Sequence, residues 1–214
     1  MSRALGRSQH VTLGAEILKG GCRFSSNCDK GFTWPEDNGE DSFWAVGQEF
    51  DMPSVPRKDN GVDDWGMYPR TEKNSDLLTL RVDPNATYGY MLADRLLEGG
   101  SGVAFAYAWE RKAFPWLMTW EENHARPQAP WSNRSLTRGM EFGSYALAMG
   151  RRWNVEKGTL LDTPTFEWLD AYEEKSTDFW ISLQAVENAN VSGAVKLEPT
   201  ADGLAGPGFT MPLK

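Results

Sequence analysis

The octapeptide LTRGMEFG, in the middle of the chain, sets a single carboxylate between two large apolar side chains. Glu141 follows Met140 and precedes Phe142, so in an extended strand it faces away from both neighbours. Two interpretations are open. Glu141 could belong to the polar face of an ordinary strand, or it could be a general base that its apolar neighbours hold on a rigid element.

Arg138 lies three positions before Glu141, and its orientation depends on the regularity of the strand. A regular strand puts residues at an odd separation on opposite faces. A bulge at Gly139 would instead bring Arg138 to the face of Glu141. The sequence leaves both arrangements open.

A longer segment around this octapeptide combines tryptophans with many polar side chains. Tryptophan rings offer a platform for the apolar face of a sugar, and carboxylate, amide and guanidinium groups suit its hydroxyls. A charge-rich exposed loop is the alternative interpretation. The residues that suggest a sugar site are Trp116, Trp120, Trp131, Glu121, Glu122, Asn123, His124, Arg126, Gln128, Asn133, Arg134, Arg138 and Glu141.

His10 is one of two histidines in the chain and opens the motif HVTLG. Histidine is the side chain best suited to exchange protons near neutral pH. A histidine that is hydrogen-bonded in a core or exposed on a surface is the alternative. Either way, the apolar residues Val11 and Leu13 predict a strand here, with a turn at Gly14.

Other chemistries have weaker support. Glu121 or Glu122 could pair with Glu141 for glycoside cleavage, which needs two carboxylates. Glu121, Glu122 and His124 lack the spacing of known metal motifs, and the chain has no nucleophile elbow, phosphate loop or dinucleotide fingerprint. We therefore expect neither a metal nor another cofactor.

The bulk composition limits the class of partner. The 214 residues fit one large domain or two small ones, and the formal net charge of -8 argues against nucleic acid or an anionic membrane surface as partner. No apolar run reaches the roughly 18 residues of a membrane span, and the N-terminus lacks the apolar core of a secretion signal. These features predict a cytoplasmic protein in which Cys22 and Cys28 are structural or incidental.

The apolar pattern predicts a mostly β chain, arranged as an antiparallel β-sandwich in a single domain over residues 1–214. In the run VAFAYAW, large side chains alternate with alanines, so they occupy opposite faces of a strand. Residues 27–75 are either a covering loop or short strands, and residues 188–214 are expected to be a loose tail. The predicted strands are 76–83, 103–109, 166–172 and 179–186, and the best helical candidate is 90–98.

The order of these motifs resembles the aldose 1-epimerase, or galactose mutarotase-like, superfamily. QHVTLG is followed, over a hundred residues later, by FPWLMTWEEN, PW and LTRGMEFG. More narrowly, the chain is similar to a bacterial branch with HVTLGPPFL-like and RGMEFG elements, although the first element here reads HVTLGAEIL. The resemblance spans His10 to about Val186.

This resemblance implies a large antiparallel supersandwich with a sugar cleft on one sheet, and an isomerase that interconverts sugar anomers without a cofactor. Glu141 matches the catalytic glutamate that removes the proton from the anomeric hydroxyl. His10 matches the histidine that protonates the ring oxygen. Candidate substrate-binding residues are Trp116, Trp120, Glu122, His124, Arg126 and Arg138.

The family also carries a second histidine on an earlier strand, for which the nine residues before His10 leave no room. We therefore expect a domain that is incomplete at its N-terminus, and a homo-oligomer formed through exposed sheet edges. The alternatives are a carbohydrate-binding domain without turnover, an accessory domain of a glycoside hydrolase or lyase, and a purely structural interaction domain.

Overall fold

The computed structural model describes residues 3–4, 8–12, 22–37, 41–69, 73–96, 101–187 and 196–213. These residues are mostly antiparallel β structure, as the sequence predicts. The strands of the N-terminal half are β1 (Arg3–Ala4), β2 (Ser8–Thr12), β3 (Cys22–Ser26), β4 (Cys28–Thr33), β5 (Glu49–Asp51), β6 (Ser54–Pro56), β7 (Val62–Asp64), β8 (Met67–Tyr68), β9 (Asn74–Val82) and β10 (Tyr88–Leu96).

The second half of the chain adds one described helix, α1 (Arg151–Lys157). Its strands are β11 (Ser101–Glu110), β12 (Trp116–Asn123), β13 (Leu136–Gly143), β14 (Thr159–Leu160), β15 (Thr163–Pro164), β16 (Trp168–Leu169), β17 (Phe179–Glu187), β18 (Glu198–Pro199), β19 (Gly203–Gly206) and β20 (Phe209–Pro212).

Two large sheets enclose the main core. One has six strands in the order β2-β13-β12-β9-β4-β5, and the other has five in the order β17-β11-β10-β3-β8. Alternate residues of both sheets turn inward and meet in one apolar cluster, which makes the arrangement consistent with a β-sandwich. We call the side of each sheet that faces this cluster its inner face, and the opposite side its outer face.

Strand β11 shows why the alternation of its sequence matters. Its large residues Tyr107 and Trp109 are buried in the main core, where Trp109 stacks on Phe142 with ring centroids 4.6 Å apart. Its three alanines face the other way and form a second core with residues of a small C-terminal sheet. Small side chains on this face let the C-terminal strands approach closely, so both faces of β11 are buried.

The expected helix at residues 90–98 is wrong where the structure describes it, because residues 88–96 form strand β10. Tyr90 and Leu92 pack into the second core, whereas Met91 and Ala93 pack into the main core. A strand that is buried on both faces reads as a continuous apolar run, which periodicity cannot distinguish from a buried helix. Residues 97–100 lie outside the described part of the chain.

Other predictions meet mixed outcomes. The strands expected at 76–83, 103–109 and 179–186 are confirmed as β9, β11 and β17. The strand expected at 166–172 is wrong except for β16, and helix α1 was not predicted. The described part of residues 27–75 contains five short strands and the start of β9. The described part of the tail, 196–213, forms the three-stranded sheet β18-β19-β20.

Among the described residues, no helix combines the length and the apolar character that a membrane span would need.

Candidate functional site

Strands β2 and β13 bring His10 and Glu141 together, although 130 positions separate them in the sequence. The two strands pair antiparallel, and His10 is the direct cross-strand partner of Glu141. Directly paired positions lie on the same face of a sheet, with Cβ atoms about 4.5–5.5 Å apart. The backbone register therefore places positions 10 and 141 next to each other on the outer face.

Glu141 is partly exposed on this outer face, while Met140 and Phe142 are buried on the inner face. On its own strand, the neighbouring positions of the same face are Gly139 and Gly143. Since glycine has no side chain, β13 carries no bulk immediately before or after the carboxylate. Across the sheet, the same row continues through Met118 of β12, which is paired with Glu141.

Next to this row, Trp120 is paired with Gly139 and is partly exposed. The guanidinium of Arg126 lies over the Trp120 ring, 5.7 Å from its centroid, and over the Trp131 ring, 5.1 Å from its centroid. Cation–π contacts of this kind hold an arginine fork in a defined position. The structure thus brings the binding candidates Trp120 and Arg126 together on the face that carries Glu141.

The carboxylate of Glu122 holds Arg126 in place. The Glu122 side chain is fully buried, one carboxylate oxygen accepts hydrogen bonds from the backbone N–H groups of Ala125 and Arg126 (3.0 and 2.9 Å), and the other lies 3.1 Å from Nε of Arg126. The same Nε donates to the hydroxyl of Ser75. Glu122 is therefore a structural anchor of the chain after β12, and Ser75 is a contact that no sequence motif indicates.

His124 lies at the end of β12, in a left-handed backbone conformation with a φ of 53°. Its Nδ1 is 3.0 Å from the carbonyl oxygen of Asn133, within the loop that connects β12 to β13. The ring is thus engaged in holding the loop.

Trp116 is on the same outer face, paired with Gly143, but its ring is covered by other residues. Its ring is fully buried in a small cluster with Ala146, Leu160 and Leu161, and its Nε1 donates to the carbonyl of Pro164 (2.7 Å). Leu160 and Leu161 belong to the β14-β15 hairpin, which follows helix α1 in the chain. Trp116 is therefore a packing residue here, and its ring is not available as a sugar platform.

Arg138 lies on the inner face, opposite Glu141. The pairing of β13 with β12 runs through Gly139 without a register shift, so the three-residue separation puts the two side chains on different sides of the sheet. Its Nε donates to Glu121 (2.9 Å), its Nη2 also contacts that carboxylate, and both side chains are fully buried. The structure therefore places Arg138 away from the residues of the outer face, Glu141 and Trp120.

The carboxylate of Glu121 continues into a buried polar network. The amide of Asn74 donates to Glu121 (3.0 Å) and to Asp76 (2.9 Å). Asp76 in turn accepts from the hydroxyl of Ser42 and from the backbone N–H of Phe43. Burial raises the pKa of Asp76. Glu121 and Glu141 are on opposite faces, so this geometry gives no support to the two as a pair of glycosidase carboxylates.

Potential metal ligands do not converge in the part of the chain that the structure describes. Within these residues, no group of three or more His, Cys, Asp or Glu side chains is placed so that it could hold a metal ion. The candidate site consists of Glu141, the adjacent position 10, Trp120, Trp131 and Arg126.

Comparison with known proteins gives this site no external reference. No protein-family model matches the chain, and neither the curated proteins nor the solved structures contain a significant match.

Proposed function

We propose that this chain binds a free sugar or sugar derivative on the outer face of the six-stranded sheet and interconverts its anomers. The direct pairing of His10 with Glu141 is the observation that carries the proposal. The reaction is that of an aldose 1-epimerase, in keeping with the motifs HVTLG and RGMEFG. No cofactor takes part.

The chemistry requires a base and an acid at neighbouring atoms. The carboxylate of Glu141 takes the proton from the anomeric hydroxyl. The oxygen of that hydroxyl then forms a double bond to C1. The bond between C1 and the ring oxygen breaks, and the ring oxygen takes the proton of the His10 imidazolium. Both oxygens are bonded to C1, so the base and the acid must work side by side, which suits two directly paired positions.

Rotation about the C1–C2 bond and reversal of the proton transfers then close the ring from its other side. Glu141 returns its proton and His10 recovers its own, so both residues end the cycle in the protonation states in which they began it. Gly139 and Gly143 add no side chain next to the carboxylate on its own strand, so the sugar ring approaches Glu141 from the partly exposed side of that residue. Trp120 and the guanidinium of Arg126 supply a flat surface and hydrogen-bond donors at the margin.

The test is exchange NMR, which measures the rate of interconversion of α and β anomers for a panel of hexoses, pentoses and their phosphates. We expect a catalysed rate that falls roughly 10²–10⁴-fold in Glu141→Gln and in His10→Gln. Glu49→Gln is the matched control, because Glu49 is an exposed glutamate on β5 of the same sheet. Exchange that the protein does not accelerate for any sugar of the panel contradicts the proposal.

A sugar-binding domain without turnover is the second candidate. The observation that favours it is the position of the Arg126 guanidinium over the rings of Trp120 and Trp131. These three side chains form a surface that could bind a sugar without any contribution from Glu141. Calorimetry separates the two candidates. Sugar binding that survives Glu141→Gln and disappears in Trp120→Ala, with no anomer exchange in the unaltered protein, identifies the binding domain.

A further inference from the structure

We infer that the protein has a second site for a neutral, hydroxyl-rich ligand, a sugar, in a cavity built around Trp168. The cavity measures about 510 Å³ and is lined mainly by the β11–β12 turn and by residues 167–177. Its lining includes neither Glu141 nor Trp120, so this inference goes beyond the proposed function and does not depend on it. We call it the Trp168 cavity; its principal residues are Glu110, Phe114, Ser144, Trp168, Lys175 and Thr177.

The size and the walls of the cavity match those of a small-molecule site. Ligand sites typically have volumes of about 300–1,000 Å³ and combine apolar surface with a few polar groups. Phe114 is a buried apolar residue of the wall, and Trp168 leaves 44% of its surface exposed. An exposed tryptophan with one apolar face is well suited to stack on the C–H face of a sugar ring.

Three separate contacts hold Trp168 in place. Phe166 packs edge-on against its ring, with centroids 5.1 Å apart. The ammonium group of Lys175 lies 3.4 Å from the carbonyl oxygen of Trp168 and donates to Glu167 at 2.6 Å. The backbone of Trp168 also pairs with that of Ala4 in β1. The two backbone contacts fix the position of the residue and the Phe166 contact restrains its ring, which reduces the entropy cost of binding.

The polar groups of the cavity favour a neutral ligand. Its charged lining consists of three glutamates (110, 167 and 174) and two lysines (112 and 175), which leaves one excess negative charge. Such a lining repels phosphorylated ligands, because no excess positive charge offsets theirs. The hydroxyl of Thr177 donates to Glu110 (3.1 Å), which holds that carboxylate at the wall as an acceptor for ligand hydroxyls.

The test is saturation-transfer NMR and calorimetry on the full chain with glucose, galactose, maltose and lactose. We expect binding with a Kd of about 1 mM or tighter, and a loss of at least about tenfold in Trp168→Ala. Lys175→Met, which releases the backbone of Trp168, should weaken binding in the same direction. Tyr172→Ala is the matched control, since Tyr172 is a fully exposed aromatic residue of the same segment that does not line the cavity.

The outcomes distinguish this site from the one on the outer face. Glu141→Gln should leave binding in the Trp168 cavity unchanged, and Trp168→Ala should leave any anomer exchange unchanged. The inference is overturned if none of the four sugars binds at about 10 mM, if Trp168→Ala binds as well as the unaltered protein, or if Tyr172→Ala loses binding equally. Circular dichroism of each variant separates loss of binding from loss of fold.

Discussion

Arg138 and Glu121 are directly paired on neighbouring strands of the six-stranded sheet and form an ion pair on its inner face, where neither side chain has any exposed surface. The guanidinium also lies over three aromatic rings of the inner face, those of Phe24 (4.5 Å), Trp65 (5.1 Å) and Tyr68 (5.3 Å). A charge removed from water in this way is tolerated only with a well-placed partner. The pair therefore links β12 and β13 at the end of the core, on the face opposite the candidate site.

Replacing Arg138 with methionine should destabilise the protein strongly. The change removes the cation and leaves the carboxylate of Glu121 buried without its counterion. Such a loss lowers the free energy of unfolding by roughly 3–5 kcal/mol. The measurement is the free energy of unfolding in urea. Arg152→Met is the control, because the Arg152 side chain is 89% exposed in its ion pair with Glu156, and a change of about 0.5 kcal/mol or less is expected there. Equal losses in the two variants would contradict this role of the buried pair.

Replacing Glu122 with glutamine should loosen the chain between β12 and β13. The carboxylate accepts hydrogen bonds from two backbone N–H groups and pairs with Arg126, and charge-assisted hydrogen bonds are worth about 1.5–3 kcal/mol. We expect faster hydrogen exchange at the amides of Ala125 and Arg126. Glu156→Gln on helix α1 should leave these amides unchanged. Unaltered exchange in Glu122→Gln would show that the carboxylate does not hold this segment.

Asp94 should make the stability of the protein fall as the pH rises between about 4 and about 6. Burial raises its pKa to about 6, and the nearby Arg23 guanidinium only partly opposes the rise. Because this folded-state value exceeds the unfolded value of about 3.9, the folded state binds the proton more tightly. The contribution to stability is thus fully present below about pH 4 and is lost as the pH rises through about 6.

Asp94→Asn removes this titration. We expect the variant to unfold at higher urea concentration than the unaltered protein at about pH 7, and to show a smaller decline in the free energy of unfolding between about pH 4 and about pH 6. The measurement is a set of urea unfolding curves across that range. Parallel pH profiles for the two proteins would mean that Asp94 does not titrate as described.

The two cysteines should be unreactive in the folded protein. Both thiols are buried and reduced, and burial raises the pKa of Cys22 to about 11 and that of Cys28 to about 12. Because the thiolate is the nucleophile, a thiol reagent at about pH 8 should modify neither residue until the chain unfolds. The measurement is the absorbance of released thionitrobenzoate before and after addition of urea. Rapid modification of the folded protein would contradict the buried placement.

The sequence alone determined the strand periodicity and therefore much of the fold. The alternation of β11 predicted both its extended conformation and the separation of its large residues from its alanines. The apolar neighbours of Glu141 likewise predicted which way that side chain points. Such predictions succeed because the side-chain direction of a strand follows from local backbone geometry alone.

The tertiary structure alone decided which segments meet. The pairing of His10 with Glu141, the burial of Trp116 beneath Leu160 and the position of Arg138 between the sheets all depend on strands and loops distant in sequence. Residues 90–96 read as a helix because both of their faces are buried, and only packing partners far along the chain reveal that burial. Local sequence patterns carry the period of an element, whereas its neighbours are set by the long-range contacts of the whole fold.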